Sequence, residues 1–591
     1  MIHMLRGKKI FLFFLLIISP AAAQTEKSDS VGFFKKIENM ILVKDKGKEG
    51  SEVRDSDKSL INKYAGKIIR HIDIKILDVF GPSIYNPDDT AKTWFGDKGN
   101  SLHVNTKAWL IKYKLIFSEG DKLVPYDIQE SERIIRQTPY VKDVRILPEP
   151  AGEGSDSVDI TVYSQDIWSA NGDLLYHPAS KSGRAAFTDN NFLGYGNAFK
   201  AGLKFDRSFE HGWDWDGGYS INNIKNTFLT ADINYTSNVN QKQYALSIGR
   251  DFFSPVIKWA GAAAQIWQTT RYAVVQDSNV HFDDAGYNQQ DYWLGYAFDF
   301  KPFDPTTIYQ NRFNISARVT RTVYSQKPAF DTTSLFQNNT FILGRLGYAY
   351  RKFYQDQYVF GLGKTEDIPV LNTLELLFGY EIGESTKRPY YGLKSGYSTY
   401  NYNSGYIYGG FQIGAFRNKS SWVNGAGILQ MLYFSKLLSL GSWSWRHYIG
   451  AMYAFSLDQQ MTGGALDLNN SNGIRGFFDN EVKGNKKLVF NYEADIFLPV
   501  KIFGFNMAIL TFADLGILTS DDKSFLDNRL YQGYGVGFRV KNENLIFPTF
   551  QFMIGIYPNI AGRHFSVFNQ GSIFNQLNQY QASIPSVVQG Q

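Results

Sequence analysis

An arginine set between glycines is the residue of this sequence best placed to do chemistry. The run Asn472-Gly473-Ile474-Arg475-Gly476-Phe477 joins two strand-like segments, and its glycines permit a tight turn. A guanidinium stays charged inside a protein and binds planar carboxylates through parallel hydrogen bonds. Carboxylates follow on later strand-like segments, at Glu493 and Asp514. The alternative interpretation of the same residues is an ordinary exposed loop arginine.

Residues that would support catalysis or metal binding are scattered along the chain. The eight histidines form no His-x-x-x-His pair, and there is no cysteine, which excludes thiolate metal sites and disulfides. The sequence contains no G-x-S-x-G elbow and no G-x-x-x-x-G-K-[ST] loop. Acidic pairs such as Asp283-Asp284 are typical of solvated loops. We therefore predict no catalytic residue, no cofactor, no metal and no enzymatic activity.

The first residues predict export from the cytoplasm. Arg6, Lys8 and Lys9 precede an unbroken apolar run at residues 10–18, and small residues follow up to Ala23. This layout is typical of a cleaved secretory signal over residues 1–23, and the apolar run is much shorter than the ~20 residues of a membrane helix. Removal of the three cations from a formal charge of +5 leaves +2. Such a small charge gives no reason to expect a nucleic-acid partner.

The long second part of the chain predicts a membrane β-barrel. Aromatic residues make up 16% of the chain, as expected for the aromatic girdles of such barrels. Apolar and polar or small residues alternate through segments such as 292–300, 313–320 and 550–556. An apolar face outward gives a membrane strand and an apolar face inward gives a soluble sandwich, and alternation alone fits both. At roughly 25 residues per strand and connection, residues 166–560 predict about sixteen antiparallel strands.

Three further regions are predicted from local pattern. Residues 24–65 are charge-rich and predict a flexible segment, with a linker at Lys44 to Asp57. Residues 66–165 predict a small α+β domain in the order strand, helix, helix, strand, strand, with a long polar stretch after the first strand. Residues 561–591 are rich in Gln, Asn and Ser and predict an irregular tail.

Several fragments together resemble one superfamily, that of BamA, TamA and the two-partner-secretion (FhaC-type) transporters. The element order of residues 66–165 resembles their POTRA domain. The glycine-flanked arginine resembles their [VI]-R-G-[FY] loop signature, and a later strand resembles their F-x-D-x-G motif. The matching residues are Leu115-x-Phe117-x-x-Gly120-Asp121, Glu130-Ser131-Glu132-Arg133-x-Ile135-Arg136, Tyr140-Val141-x-Asp143-Val144, Val158-Asp159-Ile160-Thr161-Val162, Asn191-Phe192-Leu193-Gly194-Tyr195-Gly196-Asn197, Ile474-Arg475-Gly476-Phe477 and Phe512-Ala513-Asp514-Leu515-Gly516.

The resemblance implies a membrane all-β fold in the outer membrane of a Gram-negative bacterium, with one POTRA-like domain in the periplasm. It implies that the Arg475 loop folds back into the lumen and pairs with a carboxylate, by position Asp514, with Glu493 as the second candidate. The implied partners are outer-membrane lipid, unfolded or extended client proteins bound by the POTRA-like domain, and assembly lipoproteins. The implied function is assistance to the insertion or translocation of client proteins.

The chain departs from the superfamily pattern in two places. It has a single POTRA-like unit, and more than thirty residues follow the strand that ends near Tyr557. A passive pore or ligand-uptake barrel with a tethering periplasmic domain is therefore the alternative function, and a surface adhesin is a third.

Overall fold

The computed structural model describes most of the chain after the predicted signal peptide. The described residues are 42–44, 49–91, 93–152, 154–177, 181–206, 212–254, 257–276, 279–299, 310–329, 336–457, 466–479, 481–502, 504–520, 524–546, 549–558, 565–568 and 584–588. The predicted signal peptide, residues 1–23, lies outside them. Two parts follow each other along the chain, a small α+β unit and a closed barrel.

The α+β unit, called the small domain below, is built on a three-stranded sheet. Its sheet order is β2-β4-β3, with β2 parallel and β3 antiparallel to the central strand β4. The elements up to its end are β1 Leu42–Lys44, α1 Glu49–Lys63, β2 Ile68–Leu77, α2 Trp94–Leu102, α3 Ala108–Lys112, α4 Pro125–Arg136, β3 Val141–Pro150 and β4 Ser157–Asp166. The predicted order of strand, helix, helix, strand, strand is present in β2, α3, α4, β3 and β4.

Period-two burial explains why these strands form one sheet with a single packed face. Val158, Ile160 and Val162 of β4 are fully buried, and α4 covers them with an apolar stripe that includes Ile128 and Ile135. Apolar residues repeating every second position favour a half-buried strand, and repeats three to four residues apart favour a helix. None of the helices among the described residues is long and apolar enough to span a membrane.

Two helices lie where the sequence predicts irregular chain. Helix α1 covers most of the predicted linker Lys44 to Asp57, and α2 lies inside the long polar stretch after the first strand, to which the sequence assigns no helix. Helix α1 is held by tertiary contacts, since Ile61 joins the core and Asp57 binds Arg145 (Oδ1 to Nη2, 2.7 Å). Helix α2 is short and is capped by Thr93, whose hydroxyl accepts from the backbone N–H of Gly96. The linker prediction was wrong, because a single-sequence pattern carries no information on the distant contacts that hold α1. Helix α2 has a local signal in Thr93, but its 9 residues are too few for an apolar period to predict a helix.

The rest of the described chain forms one closed antiparallel barrel. The short strand β22 lies in the connection between β21 and β23 and pairs with β1. The elements are β5 Ala170–His177, β6 Ser182–Asp189, β7 Ala198–Asp206, β8 Trp213–Ile221, β9 Thr230–Asn238, β10 Gln241–Arg250, β11 Trp259–Gln276, β12 Asn279–Asp299, β13 Gln310–Gln326, β14 Asn339–Gln357, β15 Thr365–Gly383, β16 Lys387–Asn401, β17 Gly405–Asn418, β18 Ser421–Phe434, β19 Leu438–Leu440, β20 Trp443–Leu457, β21 Lys486–Phe497, β22 Val500–Ile502, β23 Asn506–Thr519, β24 Leu530–Lys541, β25 Phe550–Ile556 and β26 Phe565–Phe568.

The described residues supply twenty barrel strands and the three-residue β19, where the sequence predicts about sixteen. The difference arises in the first third of the barrel. Strands β5 to β10 are 8–10 residues long, close to the ~9–11 residues needed to cross a bilayer, and they follow each other closely in the sequence. Roughly 25 residues per strand suit the longer strands from β11 onwards, and that spacing undercounts the earlier ones.

The apolar face of the barrel points outward, which excludes a soluble sandwich. Tyr292, Leu294 and Phe298 of β12 are 48%, 59% and 47% exposed, while Trp293 and Ala297 between them are 6% and 2% exposed. A soluble sandwich would bury the first set instead. An outward apolar band around a closed barrel is the signature of a transmembrane barrel, because closure leaves no unpaired backbone edge in lipid.

The small domain contacts one mouth of the barrel through charged groups of α4. The guanidinium of Arg136 binds Asp367 of β15 through two hydrogen bonds of 2.9 and 3.1 Å. Next to it, the hydroxyl of Thr365 donates to Asp143 (2.9 Å), and Arg133 donates to the carbonyl of Phe253 (2.8 Å). These contacts place the small domain across the mouth at which β5 begins.

Candidate functional site

The connection between β20 and β21 runs into the barrel, and its tip carries Arg475. This loop is described from residue 466 to residue 479, and Ile474, Arg475 and Phe477 are all 1% exposed or less. Arg475 contacts side chains on β21 and β23 that face the barrel interior. We call residues 466–479 the lumen loop.

Arg475 is bound by a bidentate carboxylate, as the residue type suggests. Its Nε and Nη2 donate to the two carboxylate oxygens of Asp514 at 2.9 and 2.7 Å. Its own backbone N–H donates to the same carboxylate at 3.0 Å. The guanidinium also lies 4.5 Å from the ring centroid of Phe512, close enough for a cation–π contact.

A second carboxylate completes the arginine's surroundings. Nη1 of Arg475 donates to Glu493 of β21, and Nη2 donates to the backbone carbonyl of Tyr492 at 2.9 Å. All the nitrogens of the guanidinium therefore have acceptors. A buried guanidinium with an acceptor at each nitrogen is well held, whereas the loss of one acceptor would leave part of the cost of desolvation uncompensated.

The ion pairs continue along the wall to a second buried arginine. Arg539 of β24 donates to the other oxygen of Glu493 at 3.0 Å and also to Asp495. Its Nε donates to Gln551 of β25 at 2.8 Å. Four neighbouring strands, β21, β23, β24 and β25, are thus joined to the lumen loop by one polar network, which we call the arginine network.

Polar contacts of the loop backbone hold its turn in place. The hydroxyl of Tyr557 donates to the carbonyl of Arg475 at 2.7 Å. The side-chain amide of Asn491 donates both to the carbonyl of Gly473 at 2.9 Å and to Asp514 at 2.8 Å. Gly476 has φ of +70°, a conformation that side chains rarely adopt.

Glycines on the barrel wall make room for the tip of the lumen loop. A Cβ added at Gly533 of β24 would lie 2.7 Å from Cγ2 of Ile474, and one added at Gly516 of β23 would lie 2.9 Å from Leu468. Ile474 and Phe477 pack there in one apolar cluster with Leu468. The loop is therefore fixed by close packing as well as by charge.

The structure brings together the residues that the sequence singles out. Arg475 meets both Asp514 and Glu493, and Ile474, Gly476 and Phe477 form the buried turn around it. The exposed-arginine alternative is wrong, because Arg475 is 0% exposed.

Sequence reasoning missed Asp495 and Arg539. A signal for Asp495 was present, because Asn491, Glu493 and Asp495 alternate along β21 and so share its inner face. No comparable pattern marks Arg539, whose glycine-rich strand places it beside the network only once the sheet closes.

The fold and the site define a class of protein: a transmembrane β-barrel of outer-membrane type, with a loop fixed inside the lumen and a small α+β domain at one mouth. No protein-family model and no curated protein sequence matches the chain.

Solved structures similar to this chain include BamA and CdiB. BamA from Haemophilus ducreyi lacking POTRA domains 1–3 is 10% identical with a TM-score of 0.35, over 85% of this chain and 83% of that chain. CdiB from Acinetobacter baumannii is 10% identical with a TM-score of 0.42, over 85% and 73%. CdiB from Escherichia coli is 12% identical with a TM-score of 0.41, over 85% and 75%. The function is argued below from this chain's own residues.

Proposed function

We propose that this protein is an outer-membrane transporter or insertase of the BamA, TamA and FhaC type, which assists the insertion or translocation of client proteins. The observation that carries the proposal is the arginine network, which holds the lumen loop inside the barrel. The network fixes one position of the loop inside the barrel, as expected where that position matters to function. A buried pair is a weak device for stability alone, and its better attested use is to specify one arrangement.

The small domain supplies a surface for clients at the periplasmic mouth. Strand β2 pairs along one edge with β4. Among the described residues its other edge is occupied at the start of the strand, by the bridge from Ile68 to Lys122, by backbone hydrogen bonds of Ile69 with Gly120 and Asp121, and by a bond from the N–H of Ile72 to Glu119. Its exposed residues Asp73 and Lys75 lie beyond these contacts. An extended peptide can add to such an edge through main-chain hydrogen bonds, which select for an extended backbone more than for a sequence.

Crosslinking in living cells tests the proposal at this edge. A photo-activated crosslinking residue is placed at Lys75 of β2, and a matched one is placed at Lys58, which is exposed on helix α1 and offers no strand edge. We expect capture from Lys75 and little from Lys58. Nascent outer-membrane proteins or assembly lipoproteins in the catch would support insertion, and one dedicated secreted partner would support translocation. An equally empty catch from both sites would contradict the proposal.

The alternative is a passive pore or ligand-uptake barrel that the small domain merely tethers. It predicts a steady, open channel from the purified protein, because nothing would need to move before solute passes. The proposed transporter predicts a mostly closed channel, since the lumen loop lies inside. Ion conductance in planar bilayers separates the two functions without any client being known.

A further inference from the structure

A second piece of chain also lies inside the barrel, far from the lumen loop. Residues 584–588, called the lumen segment below, follow the last barrel strand in sequence and contact the inner wall at β13 to β16. Pro585 and Val588 are buried. The sequence predicts only an irregular tail here, and an exposed tail would not bury these residues.

The wall residues that contact the lumen segment face the interior. Arg318 of β13 lies next to Val319, which is 37% exposed on the outer surface. On β16, Tyr390 is 1% exposed and its neighbour Tyr391 is 45% exposed. Because successive side chains of a strand point to opposite faces, Arg318 and Tyr390 face inward, as does Lys394, four residues beyond Tyr390.

Polar contacts fix the lumen segment mainly through its backbone. Nη1 of Arg318 donates to the carbonyl of Pro585 at 2.9 Å, and the backbone N–H of Val588 donates to the hydroxyl of Tyr390 at 2.7 Å. One side-chain contact is added, from Nζ of Lys394 to the hydroxyl of Ser586 at 2.9 Å. Two of the three contacts would therefore form with any extended peptide.

The side chain of Arg318 is held in position by a carboxylate of the neighbouring strand. Asp291 of β12 binds Arg318 through Nε at 2.8 Å and through Nη2 at 2.5 Å, which leaves Nη1 pointing at the carbonyl of Pro585. Beside it, Val587 packs against an apolar cluster that includes Leu343 and Leu377. The wall thus offers donors, an acceptor and an apolar contact to the consecutive residues Pro585 to Val588.

The first residue of the lumen segment, Ile584, lies where the small domain contacts the barrel. Ile584 lines a cavity of about 450 Å³ together with Ile134 and Thr138 of the small domain and Trp293 of β12. The cavity therefore lies between the small domain and one end of the lumen segment.

We propose that Arg318, Tyr390, Lys394 and the Leu343–Leu377 cluster form a binding site for one extended polypeptide segment. The lumen segment occupies this site in cis, and a polypeptide in transit has to displace it. The part that concerns transit rests on the proposed function, whereas the occupancy of the site does not. The competing explanation is that the lumen segment only stabilises the fold of the barrel and leaves no site for another peptide.

Thiol crosslinking tests the occupancy directly, because the chain has no native cysteine. The test pair is Val587→Cys with Leu377→Cys, and the matched control is Val587→Cys with Leu376→Cys. Leu376 is the next residue on β15 but is 39% exposed on the outer face. With a short bifunctional thiol reagent on the membrane-embedded protein, we expect crosslinking in the test pair only. No crosslink in either pair, or equal crosslinking in both, would overturn the proposal.

Conductance tests whether the site binds a free peptide. Deletion of residues 584–588 should raise the ion conductance of the purified full-length barrel, and a synthetic peptide of residues 582–591 should lower it again. The control is the same peptide N-methylated at Val588, which lacks the backbone N–H that donates to Tyr390 and should block more weakly. Lys394→Met in the deleted protein should raise the blocking concentration about tenfold, the effect of losing one charge-assisted hydrogen bond. Lys200→Met, at an interior cation on β7 away from the segment, should leave it unchanged.

The outcomes separate this inference from the proposed function. If the lumen segment only stabilises the fold, the deletion should lower the thermal stability of the barrel and the free peptide should have no effect on conductance. That result would overturn the proposed binding site. Peptide block together with an empty client catch at Lys75 would retain the site and reject only the transport role. Conductance that the deletion leaves unchanged even in the Arg475→Ala protein, in which the lumen loop is no longer held by the arginine network, would reject the lumen segment as an occupant of the lumen.

Discussion

Replacement of Arg475 by alanine is the sharpest test of the arginine network. The change leaves Asp514 and Glu493 buried without the guanidinium that binds both. Neither carboxylate can reach water in the folded protein, since they are 0% and 1% exposed. The lumen loop would also lose its only cation at that point of the wall.

The expected loss of free energy depends on the hydrogen-bond donors that each carboxylate retains after the substitution. Removal of one partner of a buried ion pair costs about 3–5 kcal/mol. Asp514 keeps the amide of Asn491 and the backbone N–H of residue 475, and Glu493 keeps Arg539. These remaining donors place the expected cost at the lower end, about 3 kcal/mol, which shifts the equilibrium between seated and released loop by about 100-fold.

Three measurements test the effect of the substitution. Thermal unfolding in detergent gives the stability of the barrel, limited proteolysis gives the release of residues 466–479, and a transport assay in cells gives activity. We expect a folded barrel with lower stability, a cleavable loop and reduced transport. Arg475→Lys should fall between wild type and alanine, because one ammonium cannot span two carboxylates. Arg529→Ala, at an exposed loop arginine, should stay within about 0.5 kcal/mol of wild type.

A second substitution separates two causes of the lost stability: the missing attraction between Arg475 and the carboxylates, and the burial of a carboxylate that has lost its cation. In Arg475→Ala with Asp514→Asn, one uncompensated buried charge is removed, so part of the lost stability should return. A variant Arg475→Ala that matched wild type in unfolding temperature, in loop protection and in transport would refute the reasoning. The network would then be a consequence of folding with no role in seating the loop.

Three further predictions concern the joint, the small domain and the loop seat. Arg136→Ala should increase hydrogen exchange of α4 in the full-length protein, because the bidentate bond to Asp367 is lost, and exchange equal to wild type would contradict a charged joint. Burial raises the pKa of Glu132 to about 7, so the folded small domain binds a proton that the unfolded chain releases at lower pH. Its stability should therefore fall as the pH rises from about 4.5 to about 7, and Glu132→Gln should flatten this fall in exchange measurements. Gly533→Ala should make the lumen loop cleavable by protease, since its Cβ would lie 2.7 Å from Ile474, and Ile474→Ala in the same chain should restore protection.

The sequence by itself determined the apolar periodicity of the strands and helices, and it identified Arg475 with its two candidate carboxylates. Alternation along segments such as 292–300 predicts strands of the correct kind, and β12, β13 and β25 run through the expected residues. The spacing of apolar residues in 66–165 predicts the element order of the small domain. The glycine-flanked Arg475 and the carboxylates Asp514 and Glu493 could be selected because their types and chain order resemble a known pattern.

Only the tertiary structure decided which face of each strand meets lipid, because a period of two is the same whether the apolar face points in or out. It also decided the number of strands, since the close spacing of the strands from β5 to β10 is not encoded in the alternation. Helix α1 and the seat of residues 584–588 depend on contacts with residues far away in the chain, such as Arg145 and Tyr390. Local pattern reports the periodicity of a segment, and the partner that buries it is known only when the chain has closed around it.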